Sequence, residues 1–96
     1  MLYRRIDISA HSRGKKIPRE GALVAARGFI SDLVTDENRV RGRIGFEDRT
    51  IEFYVYGTSR YEPLNQAMQD VELVYLNGTY KSAGEGTIAV TSITLE

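Results

Sequence analysis

RVRGRIGF (39–46), ED (47–48) and RTIEFYVY (49–56) carry the most regular side-chain alternation in the chain. Pairing Phe46 with Arg49 across a two-residue loop at Glu47-Asp48 predicts an antiparallel hairpin. Counting back, Ile44 faces Ile51, Gly42 faces Phe53 and Val40 faces Val55. That row is apolar throughout. The alternate row sets Arg43 against Glu52, Arg41 against Tyr54 and Arg39 against Tyr56. Strand side chains alternate between faces, so a slip of one residue would exchange the two rows. Both strands sort in the same register, which makes the hairpin the strongest pattern in the chain.

The strand pattern extends to either side. Ala22–Leu33 (ALVAARGFISDL) is rich in apolar and β-branched residues and has Gly28 at its centre, where a strongly coiled strand needs a bend. The turn-rich Thr35-Asp-Glu-Asn38 separates it from the hairpin. After the hairpin, Tyr61–Asp70 carries Pro63 in what would be a first helical turn, with Leu64, Ala67 and Met68 at i, i+3 and i+4. Val71–Tyr80 and Thr87–Leu95 read as two more strands, joined by Lys81–Gly86. Ahead of all this, Tyr3, Ile6 and Ile8 allow a short strand. His11–Pro18 is polar and basic, with Gly14 and Pro18, and reads as a mobile arm or loop. The expected organisation is a basic arm over 1–20 and one folded domain over 21–96. The expected class is all-β with one short helix.

Three strands, a helix, then two strands is the order of the oligonucleotide/oligosaccharide-binding (OB) fold, a five-stranded Greek-key barrel with its helix between strands 3 and 4. IEFYVYG (51–57), VELVYLNGTYK (71–81) and IAVTSITL (88–95) resemble the central, fourth and closing strands of the single-stranded-DNA-binding protein family. The resemblance covers roughly residues 22–95. It implies a non-enzymatic barrel that binds single-stranded nucleic acid, DNA ahead of RNA. The tryptophans on which that family often stacks bases are absent, leaving six Tyr and three Phe.

Charge sharpens the expectation. The chain holds 13 Lys+Arg and 13 Asp+Glu, a formal net charge of zero. Through Arg49 there are 11 basic and 7 acidic residues; beyond it, 2 basic and 6 acidic, so +4 is followed by −4. Most of the early cations are Arg, which stacks on planar groups and forks onto phosphate. Alternation in the first strand puts Val24, Ala26, Gly28 and Ile30 on one side and Arg27, Phe29 and Ser31 on the other. With the first set inward, Arg27 and Phe29 join Arg39, Arg41, Arg43, Tyr54 and Tyr56 on one outer face. Rings that stack on bases and cations that track phosphates bind single strands in this way. Lys15 and Lys16 in the arm are further candidates for the phosphate backbone.

The same residues admit two other roles. Arg–Tyr and Arg–Glu pairs across strands also stabilise a sheet by themselves, at roughly 0.2–1 kcal/mol each. An exposed aromatic face equally serves as a contact for a protein partner or a second copy, which would make the barrel an adaptor or assembly subunit. Enzymatic chemistry finds no support: there is no cysteine, no nucleophile–base set and no phosphate loop. His11 is the only histidine, with no partner near it in sequence. Asp32, Asp36, Glu37, Glu47 and Asp48 sit near hairpin ends, where acids solvate turns. No catalytic residue, metal site or cofactor is expected. No apolar run is long enough to span a membrane. The N-terminus carries charge where a secretory signal needs apolar residues, so a cytoplasmic location is expected.

Overall fold

The hairpin forms in the register that its two side-chain rows dictate. In the computed structural model, which describes residues 4–5, 19–46, 49–82 and 86–95, β3 (Arg39–Phe46) and β4 (Arg49–Tyr56) are antiparallel. Phe46 pairs with Arg49, Ile44 with Ile51, Gly42 with Phe53, Val40 with Val55 and Arg41 with Tyr54. Val40, Ile44, Ile51, Phe53 and Val55 are all buried. The Glu47-Asp48 loop lies outside the described residues, as do Tyr3, Ile6, Ile8 and the whole of His11–Pro18.

The remaining elements are β1 (Arg4–Arg5), β2 (Leu23–Asp36), α1 (Tyr61–Gln69), β5 (Val74–Lys81) and β6 (Thr87–Leu95). The sheet runs β1-β2-β3-β4-β6-β5, and β5 returns to pair with β2. Five strands therefore close into a ring, the Greek-key barrel expected from their order, with α1 between the third and fourth strands of the ring. The short β1 runs parallel to β2, with Arg4 opposite Val24 and Arg5 opposite Ala25.

Closure depends on β2 serving two neighbours in turn. Its first half, Leu23–Gly28, pairs with β5, and its second half, from Phe29 onward, pairs with β3. The handover falls at Gly28. A Cβ there would collide with the Gly45 carbonyl group, so only glycine lets β2 and β3 approach so closely. The ring is latched where the chain enters β2. Gly21 N–H donates to the Tyr80 carbonyl at 2.7 Å, and Tyr80 N–H donates to Ala22 at 2.9 Å. The Glu20 carboxylate accepts from Ser82 N–H at 2.7 Å and from its hydroxyl at 2.9 Å, with Lys81 Nζ 3.6 Å away.

The core is continuous: Val24, Ala26 and Ile30 from β2, the hairpin row, Val74 and Leu76 from β5, and Ile88 and Val90 from β6. From α1, Leu64 and Ala67 are buried in it and Met68 packs at its edge, the face that their spacing predicts.

Two boundaries differ from the sequence reading. β2 continues past Leu33 to Asp36, so the turn shrinks to Glu37 and Asn38, with Glu37 at φ 52°. β5 begins at Val74 rather than Val71, because Val71–Leu73 ends the helix. Glu72 N–H donates to the Ala67 carbonyl and Val71 N–H to Met68, the paired bonds of a helix C-terminal motif. That motif places Val71 in the left-handed region, at φ 54° and 68% exposed. Val71 has the β-branched character of a strand residue but occupies a position that usually belongs to glycine.

Candidate nucleic-acid interface

Alternation carries the second row of the hairpin to the outside, and β2 adds a third strand to it. Val24, Ala26, Gly28 and Ile30 point inward and Arg27, Phe29 and Ser31 are exposed, as their spacing requires. A bulge follows. Ile30 pairs with Ile44, but Asp32 pairs with Arg43, which leaves Ser31 as the extra residue. Beyond the bulge the parity reverses: Leu33 turns toward the core, while Asp32 and Val34 are exposed beside Arg43 and Arg41. Asp36 pairs with Arg39 in the same row.

A groove of about 350 Å³ runs along this outer surface, lined by Asp32 and Val34 from β2, Arg39, Arg41 and Arg43 from β3, Glu52 and Tyr54 from β4, and Thr87 from β6. Gly42 and Phe53 also line it. A second concavity of about 370 Å³ adjoins it at the β2–β3 turn, between Asp36, Glu37, Asn38, Arg39 and Tyr56. Four of the residues singled out from sequence, Arg39, Arg41, Arg43 and Tyr54, thus meet in one groove, and Tyr56 stands at its end.

Arg27 and Phe29 do not line it. Coiling of β2 carries Phe29, 37% exposed, alongside Gly45 and takes Arg27 round to Tyr75 of β5. Lys15 and Lys16 lie outside the described residues.

The aromatic part of the site is layered. The Tyr54 and Tyr56 rings meet edge to face with centroids 5.4 Å apart, and the Arg39 guanidinium sits 5.6 Å from the Tyr54 ring centre. Tyr54 is therefore already partnered. Tyr56, 73% exposed, is the open stacking surface.

The cations are partnered as well, which alters the expected picture of arginines interleaved only with rings. Asp36 Oδ2 lies 3.7 Å from Arg39 Nη2 and 3.5 Å from Arg41 Nε, and Glu52 Oε1 lies 3.7 Å from Arg43 Nη2. The pairing of Arg43 with Glu52 follows from the hairpin register. The role of Asp36, by contrast, depends on the bulge, which converts Asp32 and Asp36 from turn-solvating acids into members of the outer row. The signal was present in the sequence: Leu33 breaks the even-numbered apolar phase of Val24, Ala26, Gly28 and Ile30. Among the described residues no group of three or more His, Cys, Asp or Glu is placed to hold a metal ion, and no helix is long and apolar enough to cross a membrane.

No protein-family model and no curated protein matches the chain. Solved structures do. An OBody bound to hen egg-white lysozyme aligns with TM-score 0.59 at 11% identity, covering 83% of this chain and 96% of its own. A chain of the S. pombe Stn1-Ten1 complex aligns with TM-score 0.58 at 10% identity, covering 83% and 60%. Aspartyl tRNA synthetase from Entamoeba histolytica aligns with TM-score 0.65 at 16% identity, covering 97% of this chain but only 21% of the synthetase. The barrel is an OB fold. At these identities the likeness establishes the fold alone, and it does not single out the single-stranded-DNA-binding protein family that the strand texts resemble.

Proposed function

We propose that this chain is a non-enzymatic module that binds single-stranded nucleic acid, DNA in preference to RNA, along the outer groove of β2, β3 and β4. The observation that carries the reading is the convergence of Arg39, Arg41, Arg43 and Tyr54 on one groove of an OB barrel, with the exposed Tyr56 ring at its end. A stacked base gains roughly 1–3 kcal/mol on such a ring, and guanidinium groups follow the phosphates. The single strand is favoured over duplex because stacking needs an unpaired base face. The S. pombe neighbour belongs to a named protein complex and the synthetase neighbours act on tRNA by name, and both settings are compatible with this reading.

With six Tyr and no Trp, the chain carries its own probe. Single-stranded oligonucleotide should quench tyrosine emission saturably, and Tyr56→Ala should remove most of that quenching. Absence of quenching at low salt would refute the reading.

A second reading rests on the ion pairs. A groove whose arginines are already matched by carboxylates also suits a protein surface of mixed charge, and the OBody neighbour is bound to a protein. In that case the barrel would serve as an assembly subunit. A defined oligomer or co-purifying partner, with indifference to oligonucleotides, distinguishes it.

A further inference from the structure

Three carboxylates stand on the outer row of the barrel, and they differ in one respect. Asp36 is held by Arg39 and Arg41, and Glu52 is held by Arg43. Asp32 pairs with Arg43 in the backbone ladder, yet Arg43 reaches the opposite way, to Glu52. Among the described residues, Asp32 has no ion-pair partner, although it lines a groove that contains three arginines. A free carboxylate in a groove for a polyanion repels phosphate. It is useful there only to a ligand that brings hydrogen-bond donors to it.

We propose that Asp32 makes the groove selective for guanine. This rests on the single-strand reading above and adds to it a base preference. An ionised carboxylate only accepts hydrogen bonds, and guanidinium groups only donate them. A base that suits both must offer two adjacent donors on one edge and acceptors beside them. Guanine does: its N1–H and exocyclic N2 amino group present a parallel donor pair to one carboxylate. Its O6 and N7 are the acceptors that arginine takes in bidentate fashion. Adenine and cytosine each bring a single amino group. Thymine and uracil flank their one N–H with two carbonyl oxygens, which repel a carboxylate.

The groove places these complements side by side. Asp32 on β2 neighbours Arg43 on β3 in register, with Arg41 two residues along the same strand and Tyr54 paired opposite Arg41. Its volume of about 350 Å³ lies at the small end of ligand pockets, enough to seat one base beside the phosphates that the arginines follow. Neighbouring bases would then stack on Tyr56 without discrimination, and Asp32 alone would read one position. Edge reading of this kind is open to a protein only when the base is unpaired.

The test uses the full chain and short thymine tracts that carry, at the centre, guanine, adenine, cytosine, inosine or no substitution, measured by fluorescence anisotropy. Guanine should be favoured over thymine by roughly 5- to 100-fold, the range of one bidentate base contact. Inosine lacks the N2 amino group and should lose most of that advantage. Asp32→Asn should abolish the guanine preference and bind the thymine tract more tightly than the native chain, because a carboxylate that repels phosphate is gone. Asp32 is exposed, so the change should leave the melting curve in place. Equal binding of all tracts overturns the guanine inference and leaves the single-strand reading standing. So does a guanine preference that survives Asp32→Asn. Failure to bind any tract overturns the single-strand reading itself.

Discussion

Replacing Asp36 with Asn should make the protein a tighter binder of single strands. The Asp36 carboxylate lies 3.5 Å and 3.7 Å from the two guanidinium groups that a phosphate would approach, and all three side chains are between 37% and 51% exposed. Exposed ion pairs of this kind stabilise a fold by roughly 0.2–1 kcal/mol each, so losing both costs at most about 2 kcal/mol of stability. The effect on binding has the opposite sign. A phosphate seated on Arg39 and Arg41 would stand on the order of 6 Å from the carboxylate, a repulsion of about 0.7 kcal/mol in water and several times that at lower local dielectric. With salt screening, the net gain for Asp36→Asn is about 1 kcal/mol, or roughly fivefold in affinity at low salt. Each additional phosphate contact also steepens the dependence of log affinity on log salt by about 0.7 for a single strand. Anisotropy titrations of a labelled oligonucleotide at several salt concentrations read both quantities, and a urea melt confirms that the variant is folded. Weaker binding at low salt would show instead that Asp36 positions the arginines for nucleic acid rather than competing with it.

Other perturbations probe the site and its scaffold separately. Tyr56→Ala should lose roughly 1–3 kcal/mol of single-strand binding with little change in melting temperature, since the ring is 73% exposed; unchanged affinity would remove Tyr56 from the site. Val71→Gly should raise the urea midpoint by about 1 kcal/mol equivalent, because Val71 occupies φ 54° at a helix C-terminus where glycine is unstrained; a loss of stability would show that the exposed side chain makes a contact of its own. Gly28→Ala should destabilise the barrel by about 1–3 kcal/mol through collision with Gly45, measured in the same melt. Ser82 N–H, foremost, and the Ser82 hydroxyl hold the Glu20 carboxyl below its ordinary value of 4.5. A depressed carboxylate pKa stabilises the fold above the unfolded value, and that stabilisation is lost as the pH falls through the folded one. The melting temperature of the native chain should therefore fall toward that of Glu20→Gln as the pH drops below about 4.5. A difference that stays constant with pH would refute the latch.

The parts of the molecule that were legible beforehand are those in which two strands constrain each other. The β3–β4 register, the inward set of β2 and the buried face of α1 all follow from periodicity, because a buried row tolerates no slip. What escaped was local backbone geometry with weak sequence cost. The bulge at Ser31 leaves the strand a strand but reverses its parity, so Asp32, Val34 and Asp36 joined the outer row unannounced except by the phase of Leu33. Coiling at Gly28 separated Arg27 and Phe29 from the groove, although alternation alone grouped them with it. Val71 shows the converse: its β-branched side chain signals a strand, but the hydrogen bonds that end α1 decided its conformation. The candidate site was thus visible in its cations, its rings and Glu52, whereas Asp32 and Asp36 were not.

Because the chain carries no net charge, single-strand binding would have to come from the groove's local arrangement and not from overall attraction. Anisotropy titration with single-stranded DNA, single-stranded RNA and duplex of matched length, at two salt concentrations, separates groove binding from general attraction. Single strands should bind saturably and more weakly as salt rises, DNA tighter than RNA, with duplex bound less well at both salts. Duplex bound as tightly as single strand, or no binding to either at low salt, would rule out a groove for single strands.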